Sequence, residues 1–209
     1  DSFLYDNSGN LVRNSHLPSM VGYVGKSRAS FFWQGEWYIF TQKETFAMNL
    51  KNGIFHKPAI QIPNAMSKSL LKSYEFLYDK KGNAYLFNKK GKLFRKFHLL
   101  DDQAYINGRD KNFVAAEDAH GNVYIVSYGN GLFIYNPKKD ELQHFSAADK
   151  DPLFHSDFLL NVFIDRSGCI WICTGDGVYC CRELKDLYTE HVKIEPNTNR
   201  EWSNYVRHI

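Results

Sequence analysis

Short apolar stretches alternate along the chain with polar, glycine-bearing turns, and the alternation has the period of strands rather than of helices. Residues 112–117, 122–127, 132–135 and 141–145 read as four strands, joined in turn by an Asp-to-Gly reversal, by Gly129-Asn130-Gly131 and by Asn136-Pro137-Lys138-Lys139-Asp140. The same order is expected at 160–164, 170–174, 178–182 and 187–191, with Gly175-Asp176-Gly177 as its middle turn. An earlier set fits as 30–33, 37–41, 45–50 and 54–57, its last turn being Lys51-Asn52-Gly53. Between them, 74–78, 84–87 and 92–98 give three strands by way of Asn88-Lys89-Lys90-Gly91, and no fourth strand can be placed.

Each set opens on one recurring string. It reads Asp79-Lys80-Lys81-Gly82-Asn83-Ala84-Tyr85-Leu86, then Asp118-Ala119-His120-Gly121-Asn122-Val123-Tyr124-Ile125, then Asp165-Arg166-Ser167-Gly168-Cys169-Ile170-Trp171-Ile172. Trp33-Gln34-Gly35-Glu36-Trp37-Tyr38-Ile39 is a degenerate copy, and the glycines at 35, 82, 121 and 168 stand 47, 39 and 47 residues apart. That is the length of one blade of a β-propeller. The string has the logic of a hairpin: Asp bonds its own backbone two residues on, and Gly supplies the positive backbone angle that closes the turn.

The expected fold class is therefore all-β, a β-propeller of four-stranded antiparallel blades. A partial blade is expected at 1–14, blades near 29–57, 74–98, 112–145 and 160–191, and the start of a further blade at 203–209. Either the two fragments combine to close a small ring, or the chain is a section of a longer propeller. The second is favoured, because the repeat is still in progress where the sequence stops.

Composition sharpens this picture. Aromatic residues form 16% of the 209 residues, which suits half-buried pleated strands. The 26 Lys and Arg are scattered against 23 Asp and Glu, so no nucleic-acid footprint follows. The densest basic stretch, residues 89–96, reads as a solvated strand edge. No run approaches the length of a membrane span, and the first residues carry no leader pattern, so no membrane contact is expected of this segment. Cys169, Cys173, Cys180 and Cys181 are compatible with buried thiols, with a disulfide between neighbouring strands or, least well on their spacing, with a metal site.

The string from Asp165 to Tyr179 resembles the two-component-regulator propeller repeat, as does Asp118 to Pro137, and Trp202-Ser203-Asn204-Tyr205-Val206 looks like the start of another of its blades. The resemblance is strongest from about residue 112 onward. It implies a section of a seven-bladed propeller in the periplasmic sensor region of a bacterial hybrid two-component system, part of an inner-membrane receptor. The implied ligands are oligosaccharides released from glycans. The implied partners are the remaining propeller and kinase regions of the same receptor, with a homodimer allowed.

Chemistry-bearing residues give little support to catalysis. The eight histidines are dispersed without helical metal spacing, so no metal or cofactor is expected. Asp79, Asp118 and Asp165, with Gly82, Gly121 and Gly168, read as turn formers, and Tyr85, Tyr124 and Trp171 as packing between blades. Ligands of propellers usually sit on the face made by the loop leading into each blade and the loop joining its second and third strands. Those loops offer Lys43, Glu44, Arg109, Asp110, Tyr128, Asn130, His155, Asp157 and Asp176 as binding candidates. The leading expectation is a sensing module; a protein-interaction scaffold and a propeller lyase or glycoside hydrolase are the alternatives.

Overall fold

The computed structural model describes residues 2–5, 11–15, 27–33, 35–62, 65–66, 69, 71–100, 113–150, 152–175 and 177–182. Among them are strands only, with no helix: β1 (Ser2–Tyr5), β2 (Leu11–Ser15), β3 (Ser27–Trp33), β4 (Glu36–Thr41), β5 (Thr45–Asn49) and β6 (Phe55–His56). There follow β7 (Tyr74–Tyr78), β8 (Asn83–Asn88), β9 (Leu93–His98), β10 (Phe113–Glu117), β11 (Val123–Ser127), β12 (Gly131–Asn136), β13 (Glu141–Phe145), β14 (Leu159–Ile164), β15 (Ile170–Thr174) and β16 (Val178–Cys181). They pair antiparallel, each with its neighbour in sequence, as β1-β2, β3-β4-β5-β6, β7-β8-β9, β10-β11-β12-β13 and β14-β15-β16. The fold is thus an all-β propeller architecture of meander blades. The expected strands at 187–191 and 203–209 lie outside the described residues.

Contacts divide the chain into two compact units, residues 1–66 with 89–92, and residues 67–88 with 93–209. In the first unit, β4 and β5 carry the buried side chains Tyr38, Ile39, Phe40, Phe46, Ala47 and Met48. Its first reversal differs from the repeat. Trp33 pairs directly with Glu36, leaving a two-residue turn in place of the three-residue loop found further on.

In the second unit, aromatic side chains pack one blade on the next. Tyr78 meets Phe113 edge to face at 5.4 Å, and Phe97 meets Tyr135 at 4.8 Å. Between the third and fourth blades, Tyr124, Val126, Leu132 and Ile134 face Val162, Ile170, Ile172 and Tyr179 across a buried layer that also holds Phe154. Each such side chain removed from water contributes on the order of 1.5–3 kcal/mol, so these layers, not single bonds, hold the blades together.

The recurring string folds as expected and does more. Asp79 Oδ1 accepts the backbone N–H of Lys81 and of Asn83, at 2.8 and 3.1 Å. Asp118 does so from His120 and Asn122, both at 2.8 Å, and Asp165 from Ser167 and Cys169, at 2.8 and 3.0 Å. The aromatic six positions later was expected only to pack between blades. In all three hairpins it donates to the second carboxylate oxygen: Tyr85 at 2.9 Å, Tyr124 at 3.3 Å and Trp171 Nε1 at 2.9 Å. Burial first, and then the Asp partner, raises the hydroxyl pKa of Tyr85 and Tyr124. The Trp171 bond, followed by that of Ser167, holds the Asp165 carboxyl down at about 2.

Two further regularities follow from the register. The second strand of three blades ends on a buried hydroxyl, Thr41, Ser127 or Thr174, each six residues after its motif glycine. Thr41 Oγ1 donates to the carbonyl of Glu44 and accepts its N–H, and Thr174 does the same with Gly177. In the second blade Asn88 takes this position. None of the four cysteines is joined in a disulfide, and burial pushes the Cys173 thiol up.

Two outcomes are expected. The glycines Gly82 and Gly121 share a positive φ of 83° and 86°, but a Cβ on Gly82 would press on the Leu100 backbone oxygen and Cβ, whereas one on Gly121 meets nothing nearer than Pro137 Cγ at 3.9 Å. Urea denaturation should therefore show Gly121→Ala costing about 1–2 kcal/mol and Gly82→Ala distinctly more; equal losses would show that φ alone matters. The second outcome concerns acid. Because the folded-state pKa of Asp165 is depressed, its stabilisation is complete above the unfolded value of about 4 and is lost as pH falls towards about 2. Asp165→Asn should be less stable than the parent near pH 6, and the gap in melting temperature should narrow progressively below about pH 4.

Candidate ligand-binding loops

The candidates from the sequence fall into three groups. Arg109, Asp110 and Asp176 lie outside the described residues. Lys43 and Glu44 belong to the β4–β5 turn of the first unit, and Tyr128, Asn130, His155 and Asp157 to the second unit.

In the first unit, the hydroxyl of Thr41 fixes the turn, and Lys43 extends from it into solvent. Glu44 turns back to the chain leaving β6: its Oε1 accepts from Lys57 Nζ at 2.9 Å, and its Oε2 is shielded from water without a hydrogen bond. Gln61 reaches the same strand, its amide oxygen accepting from Thr45 N and its nitrogen donating to Thr45 O, both at 3.0 Å. A side-chain amide thereby takes the place of a strand partner at the start of β5.

In the second unit, the β11–β12 loop and the loop leading into β14 come together. Tyr128 forms a bridge with Phe158, and their rings lie 5.0 Å apart, tilted by 56°. Phe158 keeps 39% of its surface exposed. Asn130 is bound into the same loop, its side-chain amide donating to Tyr128 O at 3.3 Å and its own carbonyl accepting from His144 Nε2 at 2.8 Å. The His144 ring lies flat on Phe133 at 4.2 Å. His155 is exposed, and its backbone N–H donates to the Tyr179 hydroxyl at 3.4 Å.

Asp157 has all its acceptors engaged. Its carbonyl accepts from the N–H of Gly129, Gly131 and Leu159, at 2.8, 3.2 and 2.9 Å. Its carboxylate accepts from Ser146 Oγ at 3.0 Å and from Ala147 N at 2.7 Å. One residue thus ties the third blade's middle loop to the chain that leads into the fourth. The structure brings Tyr128, Asn130 and Asp157 together, with Asp157 as the fastening and the two rings as the accessible surface. Phe158 was missed by sequence reasoning. It begins the apolar run Phe158-Leu159-Leu160, and a run gives no sign of which member stays in water.

The arrangement can present a tilted aromatic surface bordered by the Asn130 amide. Among the described residues no group of three or more His, Cys, Asp or Glu side chains is placed to hold a metal ion. The hairpin carboxylates of Asp79, Asp118 and Asp165 are consumed by their own turns.

No protein-family model matches the sequence, and no curated protein matches it. Solved structures do. The extracellular domain assigned to the hybrid two-component system BT4673 of B. thetaiotaomicron aligns with a TM-score of 0.53 and 15% identity, over 86% of this chain and 25% of that one. The extracellular domain assigned to BT3049, a hybrid two-component system of the same organism, aligns with a TM-score of 0.53 and 12% identity, over 96% of this chain and 26% of that one. The chain spans about a quarter of the length of these solved chains. What it shares with them at this identity is the propeller fold, and both are extracellular domains of the kind of system that the repeat's resemblance implies.

Proposed function

We propose that this chain is a section of the propeller sensor region of a bacterial hybrid two-component receptor, held outside the cytoplasm, and that it takes part in recognising a glycan-derived oligosaccharide. The observation that carries the ligand class is the Tyr128–Phe158 pair, fixed by Asp157 and bordered by Asn130. A sugar offers an apolar ring face and a rim of hydroxyls, and a half-exposed aromatic surface beside a planar hydrogen-bonding group matches both. Binding without turnover fits the local chemistry, because the repeat carboxylates are held as acceptors within their hairpins and are not poised across a sugar as a glycosidase needs. The propeller fold shared with two extracellular domains supports the receptor context.

Calorimetric titration with a panel of neutral oligosaccharides tests the ligand class. One member is expected to bind, and Phe158→Ala or Tyr128→Ala should weaken it at least about tenfold, or about 1.4 kcal/mol, while Lys138→Ala, in the β12–β13 turn, leaves it unchanged. Absence of heat with every oligosaccharide would transfer the reading to a protein-interaction scaffold. The receptor context has its own check. The reading frame around this segment should continue into further repeats, a membrane span and a histidine kinase, and a frame without them removes that context.

A further inference from the structure

The second blade ends differently from its neighbours. Between β5 and β7 the chain has 24 residues and between β12 and β14 it has 22, but between β9 and β10 it has 14. The motif glycines record the same deficit, 39 residues between Gly82 and Gly121 against 47 on either side. The shortfall is about what a short strand and its turn require; the third blade uses residues 137–145 for them.

The geometry at the end of β9 agrees with the count. After β12, the Asn136 side chain accepts from the N–H of Lys138 and Lys139 at 3.0 and 3.1 Å, Asp140 adopts a φ of 53°, and the chain turns back into β13. After β9 there is no such reversal. Leu99 and Leu100 are buried, and both N–H groups donate to the Gly82 carbonyl, at 2.9 and 3.3 Å. The chain therefore runs on past the first hairpin of its own blade, and among the described residues no strand lies beyond β9.

Among the described residues the outer edge of β9 therefore has no strand beside it. The third strands β5 and β12, which have a fourth strand beside them, are buried almost throughout, whereas residues 93–96 of β9 are exposed, Leu93 and Phe94 by 45% each. In an antiparallel pair every second residue directs its N–H and C=O away from the partner. An edge with such unpaired groups and large apolar side chains is a template for an added strand.

We infer that the outer edge of β9 receives an extended acidic segment of a partner protein, which completes the second blade as its fourth strand. Main-chain bonds supply the attraction in this mode and side chains the choice of partner. The choice is set by charge. Arg95 and Lys96 punctuate the edge; Arg95 is offset in part by Asp140 at 3.1 Å, and Lys96 lies over the Tyr85 ring at 5.4 Å. A second copy of the chain is a poor occupant, because antiparallel pairing of β9 about its centre sets Arg95 opposite Lys96, and like charges directly opposite repel. This proposal does not depend on the glycan reading.

Hydrogen exchange on the 209-residue chain, with a nine-residue peptide alternating Glu and Val and a control alternating Lys and Val, tests it. The acidic peptide is expected to slow exchange of the outward amides among residues 93–98 at least tenfold, and the control to leave them unchanged. In Lys96→Glu, which alters an exposed side chain, the preference should weaken or reverse. Protection by neither peptide, or by both alike, overturns the proposal. So does protection already present in the free monomer, which would mean that the chain fills its own edge. Protection that appears only with a concentration-dependent dimer in sedimentation would assign the edge to a second copy and equally overturn it.

Discussion

In three successive blades the first reversal closes around a carboxylate whose oxygens are both engaged by the blade's own residues. One oxygen of Asp79, Asp118 or Asp165 gathers two backbone N–H groups of the turn, and the other takes a hydrogen bond from the aromatic six residues on. Charge-assisted bonds of this kind are roughly twice as strong as neutral ones. The turn fixes the register of the first two strands, and register decides which face of each strand is apolar. It also orients the aromatic ring. Tyr124, tied to Asp118, stands in the buried layer between the third and fourth blades. A ring of that apolar layer is therefore oriented by a bond made within its own hairpin.

This explains a feature of the sequence that packing alone does not. The residue at that position is Tyr, Tyr and Trp, and never Phe, although the chain holds 16 Phe. An inter-blade wedge needs only area, whereas a partner for the carboxylate needs a donor. Where the Asp is missing, in the first blade, the loop shortens by one residue and Trp33 pairs directly with Glu36.

The strands were legible because they answer to local rules. Those expected at 74–78, 141–145 and 170–174 occur with the same bounds, and most others differ by a residue or two, as turn chemistry and alternation require. In the second blade the sequence offered no place for a fourth strand, and among the described residues that sheet has three strands. The loops were not legible. Asp157 reads in the sequence as a free loop carboxylate, and only the approach of Ser146 and Ala147 from the third blade makes it a fastening. Likewise Thr41, Ser127 and Thr174 recur at one repeat position, but a lone hydroxyl at a strand end has no meaning until the turn folds over it.

An antiparallel meander separates these two kinds of site by construction. The reversal between first and second strands lies at one end of a blade, and the loop between second and third strands lies at the other. The charges spent on folding therefore collect at the Asp-to-Gly end. A ligand competing for those carboxylates would have to break the hairpins that orient the core. The opposite end carries the loops that depart from the repeat, where Tyr128 and Phe158 meet over Asp157. Substitution there changes a surface without changing a register, so that end can vary while the same scaffold persists beneath it.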